Sequence, residues 1–359
     1  MARLKRVDCS GPGIRRRRRG KGFEYLDEEG RRVEEPSVIE RIRELAIPPA
    51  WEEVWICPYP TGHIQATGTD VAGRKQYRYH DRWRERRDRE KFESMTTFAR
   101  ALPRLRKRVA RDLARDGMPR ERVLACAVRL LDRGFFRIGS EDYAEENDTY
   151  GIATMRRRHV TVAGDVVSFD YEAKGGQRRL QSIGDPEVAE IVQELKRRRG
   201  GGEELLAYKE ARRWVDVKSA DINEYVKQAS GGSFSAKDFR TWSGTVLAAV
   251  ALAVSAPAQG GKSSRKRAKT RAVKEVAHYL GNTPAVARSS YIDPRVFDRF
   301  DGGLTIAGVL PELADEVEAW PELQGEIEEG VLDLIERDTE SDAIENVREL
   351  AKELEEVAA

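Results

Sequence analysis

The sequence predicts an α+β protein, with a small β-rich N-terminal domain and a larger, mostly α-helical domain containing a β-hairpin or three-stranded sheet. Three observations carry this. Short extended runs separated by Gly, Pro and Asp fill residues 1–90, apolar residues recur at helical spacing through most of 91–300, and a single stretch of β alternation interrupts those helices. A third segment, 301–359, differs in charge. It holds 19 acidic and 3 basic residues, so the first 300 residues carry +18 although the whole chain is only +2. A basic body of that size calls for a polyanionic partner. The acidic tail reads as a solubiliser or as a shield over the basic surface.

The elements follow in order. In the first domain, RRRRR (15–19) is expected to be a flexible basic arm. A helix is expected near 37–45, and EEVWICPY and KQYRYH read as strands. A long helix should cover 92–115, kinked at Pro103, with another over 121–133. HVTV and VVSFDYEA flank an AGD turn, and a KGG turn leads into RRLQSI. Asp185-Pro186 starts the next helix, and Ser235 caps AKDFRTWSGTVLAAVALAV. SAPAQGGKSSRKRAK (255–269) reads as a basic loop, while LADEVEAW and IENVRELAKELEEV in the tail read as amphipathic helices.

Several function classes are disfavoured. Cys9, Cys57 and Cys126 form no C-x-x-C pair, and His63, His80, His159 and His278 show no metal-ligand spacing. Neither a disulfide framework nor a zinc site is expected, and reduced thiols point to the cytoplasm. The opening MARLKR lacks a signal-peptide core, and the longest apolar stretch, 246–254, is well short of the roughly 20 residues that span a bilayer.

Some residues stand in deliberate-looking places. Arg137 follows a helix end in FFRIGSEDYAEENDTYGI. Lys174 sits at the tip of the hairpin FDYEAKGGQ, where glycines permit a tight turn. In KDFRTW, Lys237 and Arg240 are one helical turn apart and share a face. In LGNTPAVARSSYI, Gly281 suits a helix end, Thr283 an N-cap and Pro284 a first helical position, so the chain stops, restarts and delivers Tyr291.

These four motifs, in this order around a hairpin lysine, resemble the catalytic region of type IB DNA topoisomerases of the small bacterial and poxvirus-like group, which share a catalytic fold with tyrosine recombinases. The resemblance covers roughly residues 36–300. It implies a monomeric clamp on double-stranded DNA, nucleoid-associated, that works without ATP, cofactor or obligatory metal. Tyr291 is then the nucleophile that forms a 3′-phosphotyrosyl link, after which the free strand swivels and is rejoined. Arg137 and Arg240 match the family's two phosphate-binding arginines, and Lys174 matches the general acid that protonates the departing 5′ oxygen. Lys237 matches a lysine that supports this proton transfer. Physical need agrees. The transition state gathers negative charge that fixed cations stabilise, and an unassisted phenol costs roughly 4 kcal/mol to ionise at neutral pH.

At Asn282 viral and eukaryotic members carry histidine, whereas bacterial members often have asparagine. Its amide can donate a hydrogen bond to a non-bridging oxygen but supplies no charge. Alternation in KQYRYHD puts Tyr77 and Tyr79 on one side of a strand and Gln76 on the other. By resemblance these tyrosines meet phosphate and Gln76 a base edge, and Tyr143 is a further DNA contact. Ser140 replaces a poxvirus lysine, so sequence preference is not carried over. The alternative function is a site-specific tyrosine recombinase. Its H-x-x-R and LGH motifs are answered here by KDFR and LGN, which favours the topoisomerase.

Overall fold

The computed structural model describes residues 3–255, 262–310, 324–338 and 340–346, except the side chain of Tyr143. The chain divides into two compact units, residues 1–93 and 94–359.

In the first unit, β1 (Ile14–Arg19), β2 (Gly22–Leu26), β3 (Glu52–Ile56), β4 (Ile64–Thr69) and β5 (Lys75–Tyr79) form an antiparallel sheet in the order β2-β1-β3-β4-β5. Helix α1 (Pro36–Glu44) contributes Ile42 to a core with Ile14, Val54, Ile56 and Ala66. The five arginines expected as a flexible arm are instead strand β1, hairpinned to β2 through Gly20 and Lys21. What fixes them is pairing on both sides. Arg17 meets Glu24 across the strands at 2.6 Å. Arg16 turns the other way and donates to the Pro48 and Trp51 carbonyls at 3.0 and 2.6 Å. Alternation thus separates like charges that stand together in the one-dimensional run.

Helix α2 (Asp81–Leu113) starts ahead of the expected position, runs through Pro103 and contains the unit boundary. In the second unit, α3 (Arg120–Gly134) is buried along most of its length. The short α4 (Glu141–Asn147) carries Tyr143, whose side chain lies outside the described residues. The β interlude is a three-stranded antiparallel sheet of β6 (Val160–Ala163), β7 (Val166–Ala173) and β8 (Gln177–Gly184). Asp185 caps α5 (Pro186–Arg197) by accepting from the Val188 amide. A hairpin of β9 (Ala207–Glu210) and β10 (Arg213–Asp216) leads to α6 (Ser219–Ser230).

The apolar stretch 246–254 lies in α7 (Ala236–Ser255), which buries Phe239, Trp242, Leu247 and Leu252. Among the described residues no helix is long and apolar enough to cross a membrane. Helix α8 (Lys262–Leu280) corrects the basic-loop reading from Lys262 onward. Small and β-branched residues at Ala268, Ala272, Val273 and Val276 give it a buried stripe, while its cations lie outside. Then come α9 (Pro284–Ser290) and α10 (Pro294–Gly302).

The described part of the acidic tail belongs to this unit. Strand β11 (Leu304–Thr305) pairs with β12 (Glu345–Asn346), so the expected second tail helix does not begin at Ile344, and its residues from 347 onward lie outside the described residues. LADEVEAW is also outside them. A helix the sequence reading passed over, α11 (Glu326–Glu336), buries Ile327, Val331 and Leu334. Its Glu328 accepts from Trp242 Nε1 at 2.7 Å and pairs with Arg106, which also holds Asp132 at 2.8 Å.

Candidate active site

The cavity of interest, of about 280 Å³, is lined by Arg137, Ile138, Gly139, Ser140, Thr149, Tyr150, Lys174, Ala236, Lys237, Arg240 and Tyr291. Five of these were singled out from sequence: Arg137, Lys174, Lys237, Arg240 and Tyr291. They come from four separate places in the chain, and the fold brings them together.

Each is delivered by a local stop or start. Helix α3 ends with Phe135 in the left-handed region at φ 56°, which turns the chain so that buried Phe136 anchors one side and Arg137 points to the cavity. Lys174 begins the turn between β7 and β8, and the next two residues, Gly175 and Gly176, have φ of 85° and 68°. Side chains rarely tolerate that geometry, which explains the paired glycines. Lys237 and Arg240 lie one turn apart at the start of α7, where Ser235 and Asp238 fasten the helix through a 2.8 Å bond from the Ser235 amide to the Asp238 carboxylate.

Tyr291 follows α9 directly. Gly281, with φ 59°, ends α8, and the Thr283 hydroxyl accepts from the Val286 amide to start α9 with Pro284. The Tyr291 amide then closes α9 on the Ala287 carbonyl at 3.0 Å, and fully buried Ile292 pins the next position. Gly244 of α7 packs against this segment so closely that an added Cβ would lie 2.7 Å from the Tyr291 carbonyl oxygen. Thr245, beside it, accepts from the Asp293 amide at 3.1 Å and lies 3.3 Å from the same carbonyl.

Arg240 is the centre of the electrostatics. It is 5 % exposed, and its guanidinium carbon lies 5.1 Å from the Tyr291 ring centroid. Its Nη1 donates to the Phe135 carbonyl, and its Nη2 to the Leu280 carbonyl at 2.7 Å and Asn282 Oδ1 at 2.8 Å. Its Nε is buried without a hydrogen-bond partner. Burial, reinforced by the charge of Arg137 and opposed by Tyr291, lowers the Arg240 pKa to about 10, so it remains charged at neutral pH. Burial alone raises the Tyr291 phenol. The charge of Arg240, then those of Arg137 and Lys237, outweighs this and holds its pKa below the ordinary phenol value.

Asn282 does not line the cavity. Its Oδ1 is taken by Arg240, which leaves the amide nitrogen as its donor group. In the first unit, Tyr77 and Tyr79 share the exposed face of edge strand β5, with rings stacked at 6.0 Å, while Gln76 turns away and donates to Asp70 at 2.9 Å.

Sequence reading missed Arg179, Gly244 and Thr245. Arg179 and Arg178 look alike in RRLQSI, yet strand alternation sends Arg178 outward to Asp170 and Arg179 inward to the end of α8. Gly244 left a readable signal, a glycine within an otherwise apolar helix.

Two family models match the chain: the catalytic core of eukaryotic DNA topoisomerase I over residues 80–301, and the N-terminal domain of bacterial DNA topoisomerase IB over 22–70. The five cavity residues singled out all fall in the first span, whereas Gln76, Tyr77 and Tyr79 lie between the two. The chain is 32% identical over 288 residues to DNA topoisomerase 1B of Acanthamoeba polyphaga mimivirus, covering 78% of this chain and 85% of that protein. It is 25% identical over 129 residues to DNA topoisomerase 1 of Daucus carota, covering 35% of this chain and 15% of that one.

Proposed function

The chain belongs to the type IB DNA topoisomerases, and on that premise we propose that Tyr291 opens one strand of a DNA duplex by attacking a backbone phosphorus held by Arg137 and Arg240. The Tyr291 phenol releases its proton to solvent as its oxygen bonds to phosphorus, and the bond from phosphorus to the 5′ oxygen breaks. The departing oxygen takes a proton from Lys174, assisted by Lys237. The cut strand turns about its partner, and the same steps in reverse reseal it. The phosphotyrosyl bond conserves the free energy of the broken phosphodiester, so no ATP is called for.

The observation that carries this reading is the buried, unpartnered Nε of Arg240 beside a phenol whose pKa is lowered. A buried donor left without an acceptor costs about 1–3 kcal/mol. A non-bridging phosphate oxygen would satisfy it at the place where charge develops. Fixed guanidinium and ammonium groups supply there the positive charge that some phosphoryl-transfer enzymes take from a divalent ion. Asn282 adds a neutral donor from its amide nitrogen.

Tyr77, Tyr79, Gln76 and Tyr143 are assigned to DNA contacts outside the reacting centre. Every reacting group comes from one chain, which supports action as a monomer. The site of action is chromosomal DNA in the cytoplasm.

The test is relaxation of supercoiled plasmid in EDTA without ATP, run beside Tyr291→Phe, with denaturing detection of protein covalently joined to a 3′ end. Relaxation and capture by the parent alone support the reading. Capture without relaxation would move the assignment to a site-specific recombinase, and equal activity in Tyr291→Phe would overturn it.

A further inference from the structure

The end of α8 is held in an unusual way. Four consecutive carbonyls, those of residues 278 to 281, each accept a hydrogen bond from an arginine. Arg179 Nη1 reaches His278 O at 2.8 Å and its Nη2 reaches Tyr279 O at 2.5 Å. Arg240 takes Leu280 O and Arg137 takes Gly281 O, both at 2.7 Å. Two of these arginines line the cavity. Arg179 does not.

Arg179 stands on β8, opposite Tyr171 and five residues beyond Lys174. Its side chain is half-buried against Gly281, where an added Cβ would come within 3.3 Å of Nη1. It therefore fastens the hairpin that carries Lys174 to the turn that leads to Tyr291. The opposite strand has its own anchor, the Tyr150 amide donating to Glu172 O at 2.7 Å. Arg178, next to Arg179, pairs instead with Asp170 within the hairpin. Further along β8, Gln181 Nε2 donates to the Gly134 carbonyl at the end of α3, and of these three ties the one made by Arg179 reaches the turn that leads to Tyr291.

We propose that Arg179 is a positioning residue for proton transfer: it sets the distance between the Lys174 ammonium and the phosphorus attacked by Tyr291. The inference rests on the roles given above to Lys174 and Tyr291. If Arg179 is removed, α8 keeps Arg137 and Arg240 on its last carbonyls, so Tyr291 holds its place. The glycine turn is what loosens. The loss should then fall on departure of the 5′ oxygen rather than on attack.

A change of leaving group separates these steps. In a duplex whose bridging 5′ oxygen is replaced by sulfur, the leaving thiolate needs no acid, because a thiol ionises near a pKa of roughly 8.5. The measurement is single-turnover cleavage of the oxygen and sulfur duplexes by the parent, Lys174→Ala, Arg179→Ala and Arg179→Lys. Arg179→Ala should cleave the oxygen duplex about 10- to 100-fold slower than the parent, the scale of a misplacement near 1 Å. It should cleave the sulfur duplex within about threefold of the parent, as should Lys174→Ala, with Arg179→Lys intermediate on oxygen because an ammonium cannot fork across two carbonyls. If Lys174→Ala recovers on sulfur but Arg179→Ala stays equally slow on both duplexes, the inference is overturned and the role of Lys174 stands. A parental rate for Arg179→Ala on oxygen overturns it too. Failure of Lys174→Ala to recover on sulfur would instead strike at the assignment of Lys174 as the acid.

Discussion

Both units present tyrosines, and they hold them differently. Tyr77 and Tyr79 lie side by side on an open edge strand, 43% and 38% exposed, with their rings stacked on each other. Tyr291 is half-buried between two helices, with its backbone fixed by α9, Ile292 and Gly244 and its phenol facing two arginines and a lysine. The same side chain thus serves two ends. On the strand it offers a hydroxyl and an aromatic face to whatever approaches, and in the cavity its acidity and position are both set beforehand. Only the second arrangement can make it a nucleophile.

The sharpest way to break this contrast is Tyr291→Phe. It should abolish covalent capture and relaxation while leaving duplex affinity within about tenfold, since one hydroxyl contributes only about 0.5–1.5 kcal/mol to binding. Residual capture would mean that another tyrosine is the nucleophile. Next in size is Arg240→Gln. Cleavage should slow by about 10²–10³-fold, the usual cost of losing one such donor. Because Arg240 holds the phenol's pKa down, its removal should also move the alkaline rise of the cleavage rate to higher pH. A rate–pH profile that slows without moving would show that Arg240 acts on the phosphate alone.

Gly244→Ala comes third. The methyl group favours the helix by about 1 kcal/mol but meets the Tyr291 backbone, and overpacking costs about 1–3 kcal/mol. The expected result is a lower Tm with slower cleavage and unchanged DNA binding. An increase in Tm would mean the Tyr291 segment can yield. Smallest are Tyr77→Phe and Tyr79→Phe, each expected to weaken duplex binding by about two- to tenfold. Neither removes a charge, so the slope of log affinity against log salt should not change. A changed slope would show that these tyrosines act by holding a cation in place.

What could be read from the sequence divides along physical lines. The KGG turn, the stop and restart before Tyr291 and the three-stranded sheet were legible because glycine, proline and capping residues act locally. The arginine run was misread because charge density alone does not show alternation, and β1 exists through partners on two other strands, such as Glu24 opposite Arg17 and Ile56, 42 residues beyond its partner Ile14. KSSRKRAK looked like a loop because its helix is stabilised by a stripe of alanines and valines that begins only at Ala268. Arg179 was invisible for a related reason. Its partners are main-chain carbonyls about 100 positions away, and a carbonyl leaves no mark on the identity of its residue.

Those carbonyls have a consequence for net charge. Among the described residues, Arg137, Arg179 and Arg240 form no ion pair with any Asp or Glu. A carboxylate would orient a guanidinium equally well, but it would cancel the charge and repel an incoming phosphate. A peptide oxygen directs the fork through a dipole, and the negative end of a helix lets cations gather there at little electrostatic cost. The three side chains are therefore aimed yet not neutralised by any described carboxylate, and their charge is left for the phenolate and for an anion that arrives from outside.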